Sequence, residues 1–131
     1  MITDEMRAVS TDTDVVKYAD VNGARLAYDE SGTGQPVVFI HGALGDYRTW
    51  LPQSISLSKY YRIITYSRRY HHPNEWDGDG ADYSHELHTA DLAAFIRFLD
   101  LGPVHVIGHA YGGSLAALLA MKHPELVGTI V

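Results

Sequence analysis

The chain has 131 residues, 46% of them hydrophobic, and a formal net charge of −6 at pH 7. That composition suffices for a packed core, and the acidic balance argues against a nucleic-acid surface, which needs a basic patch. Without cysteine there is no disulfide framework, thiolate metal site or Cys nucleophile, a usage that fits a cytoplasmic protein.

Residues 1–14 are polar and acidic, with no basic stretch leading into an apolar run. They do not read as a secretory leader and are expected to form a flexible segment ahead of a domain over residues 15–131. No apolar run approaches the roughly 20 residues needed to span a bilayer, so no membrane partner is expected.

Val15 to Ala19 reads as a strand, and Arg25 to Glu30 alternates as its return partner. Between them, Asn22-Gly23 accepts the positive φ of a tight hairpin turn. Ser31 to Pro36 is a loop by composition. Val37-Val38-Phe39-Ile40 is a continuous apolar run, which suits a parallel strand covered on both faces. His41-Gly42-Ala43-Leu44-Gly45 then turns the chain. A short helix is predicted over Thr49 to Ser58, with Pro52 tolerated near its start. Tyr61 to Tyr66 is the next strand, and Ser67 to Asp82 is a polar loop of a length associated with function.

Asp82 or Ser84 can cap the following helix by accepting from its free backbone N–H groups. Leu87, Ala90, Ala94, Phe98 and Leu101 keep helical spacing, Leu92, Ile96 and Leu99 widen the apolar face, and Gly102-Pro103 stops it. Val104 to Ile107 is a strand. Tyr111 to His123 is an apolar helix whose composition predicts burial on most sides, ended by Pro124. Leu126 to Val131 begins one more strand. A hairpin followed by β-α-β-α-β-α-β implies an α/β fold with a mainly parallel sheet.

The junction Val106-Ile107-Gly108-His109-Ala110-Tyr111-Gly112-Gly113 carries the most information. A buried strand meets a sharp glycine-bounded turn and then an apolar helix, the setting of a Gly-x-Ser-x-Gly nucleophile elbow. Its central residue is Ala110, and a methyl group cannot attack a carbonyl.

Two turns together resemble the α/β-hydrolase superfamily. Phe39 to Gly45 is similar to the His-Gly turn after that fold's third strand. Gly108-His109-Ala110-Tyr111-Gly112-Gly113 is similar to Gly-His-Ser-Tyr-Gly-Gly, and the elements between them keep the family's order. The likeness covers nearly the whole chain after Asp14. It implies an α/β-hydrolase fold with helices on both faces, incomplete at six of eight strands. The remaining strands, any cap domain and the acid and His of the triad would follow residue 131.

The resemblance also implies roles. Ala110 occupies the nucleophile position, and the backbone N–H groups of Ala43 and Tyr111 form the oxyanion hole. His41, Gly42, Gly108, His109 and Gly112 support the two turns, and Gly113 joins 108 and 112 as positions where a Cβ would clash. The expected activity is hydrolysis of a small-molecule ester, lactone or related acyl substrate, with no cofactor and no metal. With Ala110 the chain is expected to be inactive, an engineered loss of serine being favoured over a natural one. Two alternatives stand beside this reading: carbon–carbon bond hydrolysis, and a non-catalytic hydrolase-fold protein that binds a ligand or partner. Epoxide hydrolases and haloalkane dehalogenases fit less well, because they place Asp at the nucleophile position. The apolar edge Gly128 to Val131 predicts association with the C-terminal half of the same protein.

Other polar residues admit plainer readings. His41 reads as a turn-stabilising residue rather than a base, and His109 as a substrate contact or a packing residue. Ser114, the nearest hydroxyl, lies a helical turn past Ala110. His71, His72, His85 and His88, with Asp77, Asp79 and Asp82, form no tight ligand pattern. Arg68 and Arg69 can bind a substrate carboxylate bidentately, but pairing with nearby acids is the expected use. Tyr47, Trp50, Tyr66 and Tyr70 read as packing or pocket wall.

Overall fold

The computed structural model describes residues 16–76 and 78–131. The segment over residues 1–14, the strand start at Val15 and Asp77 lie outside them. In chain order the elements are β1 (Lys17–Val21), β2 (Ala24–Ser31), β3 (Pro36–Ile40), a 3₁₀ turn (Tyr47–Trp50) running into α1 (Leu51–Leu57), β4 (Arg62–Tyr66), α2 (His85–Leu99), β5 (Val104–Gly108), α3 (Tyr111–Lys122), a 3₁₀ turn (Pro124–Leu126) and β6 (Val127–Ile130). The α/β alternation read from the sequence is the one observed.

One six-stranded sheet has the order β1-β2-β4-β3-β5-β6. The β1–β2 and β2–β4 pairs are antiparallel, and β4, β3, β5 and β6 pair in parallel. Asn22 (φ 49°) and Gly23 (φ 75°) both take positive φ in the β1–β2 turn, as a type I′ hairpin demands. After β3 the chain goes to one side for β4 and returns on the other for β5. The carboxyl ends of β3 and β5 therefore flank a topological switch point, where α/β sheets bind ligands.

Helices cover both faces of the sheet. On one, Val38, Ile40, Ile64, Tyr66 and Val106 pack against Leu92, Phe95 and Ile96 of α2 and Leu115 and Leu119 of α3. Phe95 stacks on Tyr66 at 4.9 Å between ring centroids. On the other, Val37, Phe39 and Ile63 meet Trp50 and Leu57. Fully burying such a side chain contributes ~1.5–3 kcal/mol.

Three expectations are corrected. The buried face of α2 is His88, Thr89, Asp91, Leu92, Ala93, Phe95 and Ile96, while Ala90 and Phe98 of the predicted stripe are exposed. The face is turned because Asp91 is drawn inward by Arg69 and Asn22, both of which donate to its carboxylate. The helix ends at Leu99 because Asp100 adopts the left-handed conformation (φ 54°), ahead of Gly102-Pro103. Finally, α3 buries only Gly112, Leu115, Ala116 and Leu119, and its opposite face carries Ser114, Ala117 and Met121 into solvent.

Candidate functional site

The turn between β5 and α3 is built by close approach. A Cβ on Gly108 would overlap the Gly112 carbonyl, and a Cβ on Gly112 would overlap the carbonyls of Ile40 and His41. The helix start is thereby pressed against the end of β3. The Ile40 carbonyl accepts from His109 N–H at 3.1 Å and ties the two strand ends together. Gly113 differs from the expectation: its nearest neighbour would be the Gly108 carbonyl at 3.6 Å, ordinary contact.

Ala110 is the N-cap of α3, at φ 54° and ψ −117°. An L-residue enters such a conformation only where its surroundings enforce it. Here the enforcement comes from the Ala110 carbonyl, which accepts from Gly113 N–H at 2.9 Å and Ser114 N–H at 3.3 Å. The residue is exposed at the crest. A Cβ placed on Gly42 would lie 3.5 Å from the Ala110 Cβ, so the two turns adjoin. His109 is exposed beside them, its ring 6.4 Å from that of Trp50.

The turn after β3 is held by its carbonyl oxygens. The buried His41 donates from Nδ1 to the Gly42 carbonyl at 2.8 Å, and its Nε2 accepts from Arg68 N–H at 3.0 Å. A ring that donates at one nitrogen and accepts at the other is neutral, and burial holds its pKa down at about 3. The Arg68 guanidinium donates to the carbonyls of His41 (3.2 Å) and Gly42 (3.0 Å). Gly45 N–H also donates to the Gly42 carbonyl, at 3.2 Å.

Arg68 departs from the expectation of an acid partner. It is 1% exposed and, among the described residues, pairs with no carboxylate. The guanidinium also donates to the Tyr83 hydroxyl at 3.1 Å and lies over the face of Tyr111, 4.6 Å from the ring centroid. Tyr83 passes the network on to His71 Nε2, and His71 Nδ1 donates to the Gly45 carbonyl at 2.8 Å. Burial and then the Arg68 charge lower the His71 pKa. Arg69, by contrast, does pair with an acid, Asp91, at 2.9 Å.

Among the described residues, no protein group accepts from the Ala43 or Tyr111 amide; Tyr111 follows Ala110 in the chain, and Ala43 follows Gly42, the residue that adjoins it. Tyr111 is the first residue of α3, so its N–H has no intrahelical acceptor and carries the positive end of the helix dipole. Its ring is stacked on His85 at 4.4 Å, and its hydroxyl donates to the Tyr83 carbonyl at 3.1 Å.

His88 is buried against Tyr83, with both ring nitrogens unpartnered, and burial lowers its pKa to about 3. No group of three His, Asp or Glu among the described residues is placed to hold a metal ion. Tyr47, Trp50 and Tyr66 are buried, and Tyr70 lies against Trp76 at 5.0 Å. Ser114 is exposed, beyond the crest. The network of Arg68, His71 and Tyr83 was missed in the sequence. The one signal for it was the position of Arg68, directly after β4 at the same end of the sheet.

Known proteins share this fold. The family model for the alpha/beta hydrolase fold matches residues 35–131. The Mycobacterium tuberculosis protein BpoC is 42% identical over 113 residues, covering 81% of this chain and 40% of that protein. The non-heme haloperoxidase of Rhodococcus erythropolis is 33% identical, covering 78% of the chain and 37% of its own length. Among solved structures, the meta-cleavage product hydrolase of Pseudomonas fluorescens, a serine-to-alanine variant complexed with acetates, superposes with a TM-score of 0.83 at 26% identity, over 91% of this chain and 44% of that one. An epoxide hydrolase of Vigna radiata superposes with a TM-score of 0.82 at 24% identity, over 92% and 39%, and shares the fold. The chain thus spans about 40% of the length of BpoC. With the family model matching residues 35–131, the chain belongs to the alpha/beta hydrolase fold family.

Proposed function

We propose that this chain carries the nucleophile and oxyanion half of a hydrolase acting on small acyl substrates, esters or lactones, with Ala110 where the attacking hydroxyl belongs. The observation that carries the reading is the exposed, strained crest at Ala110 (φ 54°, ψ −117°) beside Gly42. With serine there, the hydroxyl would attack the acyl carbon. A His and an acid, which we place C-terminal to residue 131, would take the proton and orient the ring. The amides of Ala43 and Tyr111 would receive the oxyanion. In comparable sites, losing one such donor costs ~2.7–4 kcal/mol of transition-state stabilisation. Neither donor depends on the side chain at 110, so acyl ligands still bind the alanine form.

Exposed Met121, Ile130 and Val131 on α3 and at the β6 edge support association with the C-terminal half. A monodisperse 14.5 kDa monomer with cooperative melting counts against it. The lack of cysteine supports a cytoplasmic setting.

The test is Ala110→Ser in the full-length protein, assayed on aryl esters of several chain lengths. Hydrolysis should rise by at least about 10³-fold, since removing a serine nucleophile costs on the order of 10⁶ in kcat. A second reading, a non-catalytic ligand-binding protein, is favoured by the alanine itself. It gains if the folded serine variant binds acyl ligands and hydrolyses none. Carbon–carbon bond hydrolysis is supported by the likeness to the meta-cleavage product hydrolase. It is separated by assaying the same variant on a vinylogous diketone.

A further inference from the structure

We infer that Arg68 is a positioning residue that aims the Ala43 N–H into the cleft and strengthens it as a donor. The inference rests on the hydrolase reading above, which makes that amide one of two oxyanion donors.

The argument starts from the peptide group. The Gly42 carbonyl and the Ala43 N–H belong to one peptide unit, which is trans. In a trans peptide the C=O and N–H point in opposite directions. Whatever fixes the Gly42 oxygen therefore fixes the Ala43 N–H on the opposite side. Gly42 is buried and Ala43 is exposed, so the peptide crosses from the interior to the surface beside Ala110 with its oxygen inward. Three donors converge on that oxygen: His41 Nδ1 at 2.8 Å, Arg68 Nη2 at 3.0 Å and Gly45 N–H at 3.2 Å. Two are neutral, and Arg68 is the charged one.

A carbonyl polarised by donors makes the N–H of its own peptide more positive, and a charge-assisted donor does so most strongly. Arg68 grips the preceding carbonyl as well, through Nε at 3.2 Å. The planar fork thus holds two successive carbonyls and allows neither peptide to flip. The same guanidinium lies 4.6 Å over the Tyr111 ring, so one side chain braces both residues that supply oxyanion donors. Among the described residues no carboxylate pairs with it, so its field is not cancelled locally and favours negative charge at the crest.

The test compares Arg68→Met and Arg68→Lys in the Ala110→Ser protein on aryl esters. Methionine should lower kcat on the order of tenfold to a hundredfold, less than the 10²–10³ for deleting a donor outright. KM should stay within about twofold, because the interaction matters at the transition state. Lysine keeps a cation and one donor, so it should recover part of kcat, and it reports on the site even if methionine impairs folding. Unchanged kcat in both variants, or a rise in KM alone, overturns the inference. If Ala110→Ser hydrolyses nothing, the hydrolase reading falls separately. The Ala43 amide proton, followed by NMR in the Ala110 protein, then decides. It should move upfield in Arg68→Met, and an unmoved resonance overturns the inference.

Discussion

Replacing Ala110 with glycine tests the central geometric claim, because it removes a Cβ from a backbone that L-residues avoid. At φ 54° and ψ −117° a non-glycine residue carries ~1–3 kcal/mol of strain. Glycine reaches positive φ without that penalty but is freer in the unfolded chain, which offsets ~0.4–1 kcal/mol. The methyl group is exposed, so little apolar burial is lost. The balance is a stabilisation of about 1 kcal/mol, or roughly 2–4 °C in melting temperature for a full-length protein of the relatives' size. Ala110→Ser keeps the Cβ, so it should shift melting by no more than ~0.5 kcal/mol, as surface substitutions generally do. Differential scanning calorimetry of the full-length protein with Gly, Ala or Ser at 110 gives the ordering directly. A glycine variant that melts at or below the alanine form would refute the stored strain. It would also refute the reading of residue 110 as held in place by its neighbours against its own preference.

Two further outcomes are expected. Gly112→Ala forces a Cβ into the carbonyls of Ile40 and His41 and should cost ~1–3 kcal/mol or more. Gly113→Ala, with 3.6 Å of room, should be neutral or stabilise by up to ~1 kcal/mol through helix propensity; equal melting of the two variants would contradict the packing described. His41 and His88 have pKa values lowered by burial from an ordinary 6.5 to about 3. Between those values the unfolded chain binds more protons than the folded one, so stability falls as pH drops from about 6.5 towards 3. His88→Leu removes one of these groups and two unpartnered buried nitrogens, so the acid limb should become shallower. An unchanged limb in pH-dependent melting would rule burial out as its cause.

The sequence announced those features that only a few residue types can build. Asn22-Gly23 had to accept two positive φ angles, and Gly108 and Gly112 had to be bare where a helix meets two strand ends. The continuous apolar run of β3 and the strand–turn–helix around Ala110 announced a mainly parallel sheet, and β4, β3, β5 and β6 do pair in parallel; the order of its strands came only with the structure. The inner face of α2 was legible only in part: Leu92 and Ile96 lie on it as read, but counting hydrophobic residues cannot foresee that Asp91 goes inward. Its partners, Asn22 and Arg69, stand 69 and 22 residues away. Nor was the grip of Arg68 legible. Its acceptors are main-chain carbonyls, which every residue possesses and which leave no pattern in side-chain identity.

Asn74 divides the long segment after β4 into two regimes. Its buried side chain accepts from Ala27 N–H at 2.8 Å and donates to the carbonyls of Ser67 and Arg68 at 2.9 and 3.1 Å. The stretch from Ser67 to Asn74 is thereby stapled to the sheet, and the Arg68 guanidinium inherits a fixed root. Between Asn74 and Tyr83, whose hydroxyl meets the same guanidinium, no hydrogen bond among the described residues ties the chain to the sheet. Insertions, deletions and recruitment of new contacts in that interval can diversify the surface it forms while the Arg68 network stays as it is. Evolutionary latitude in this protein thus begins at a single asparagine.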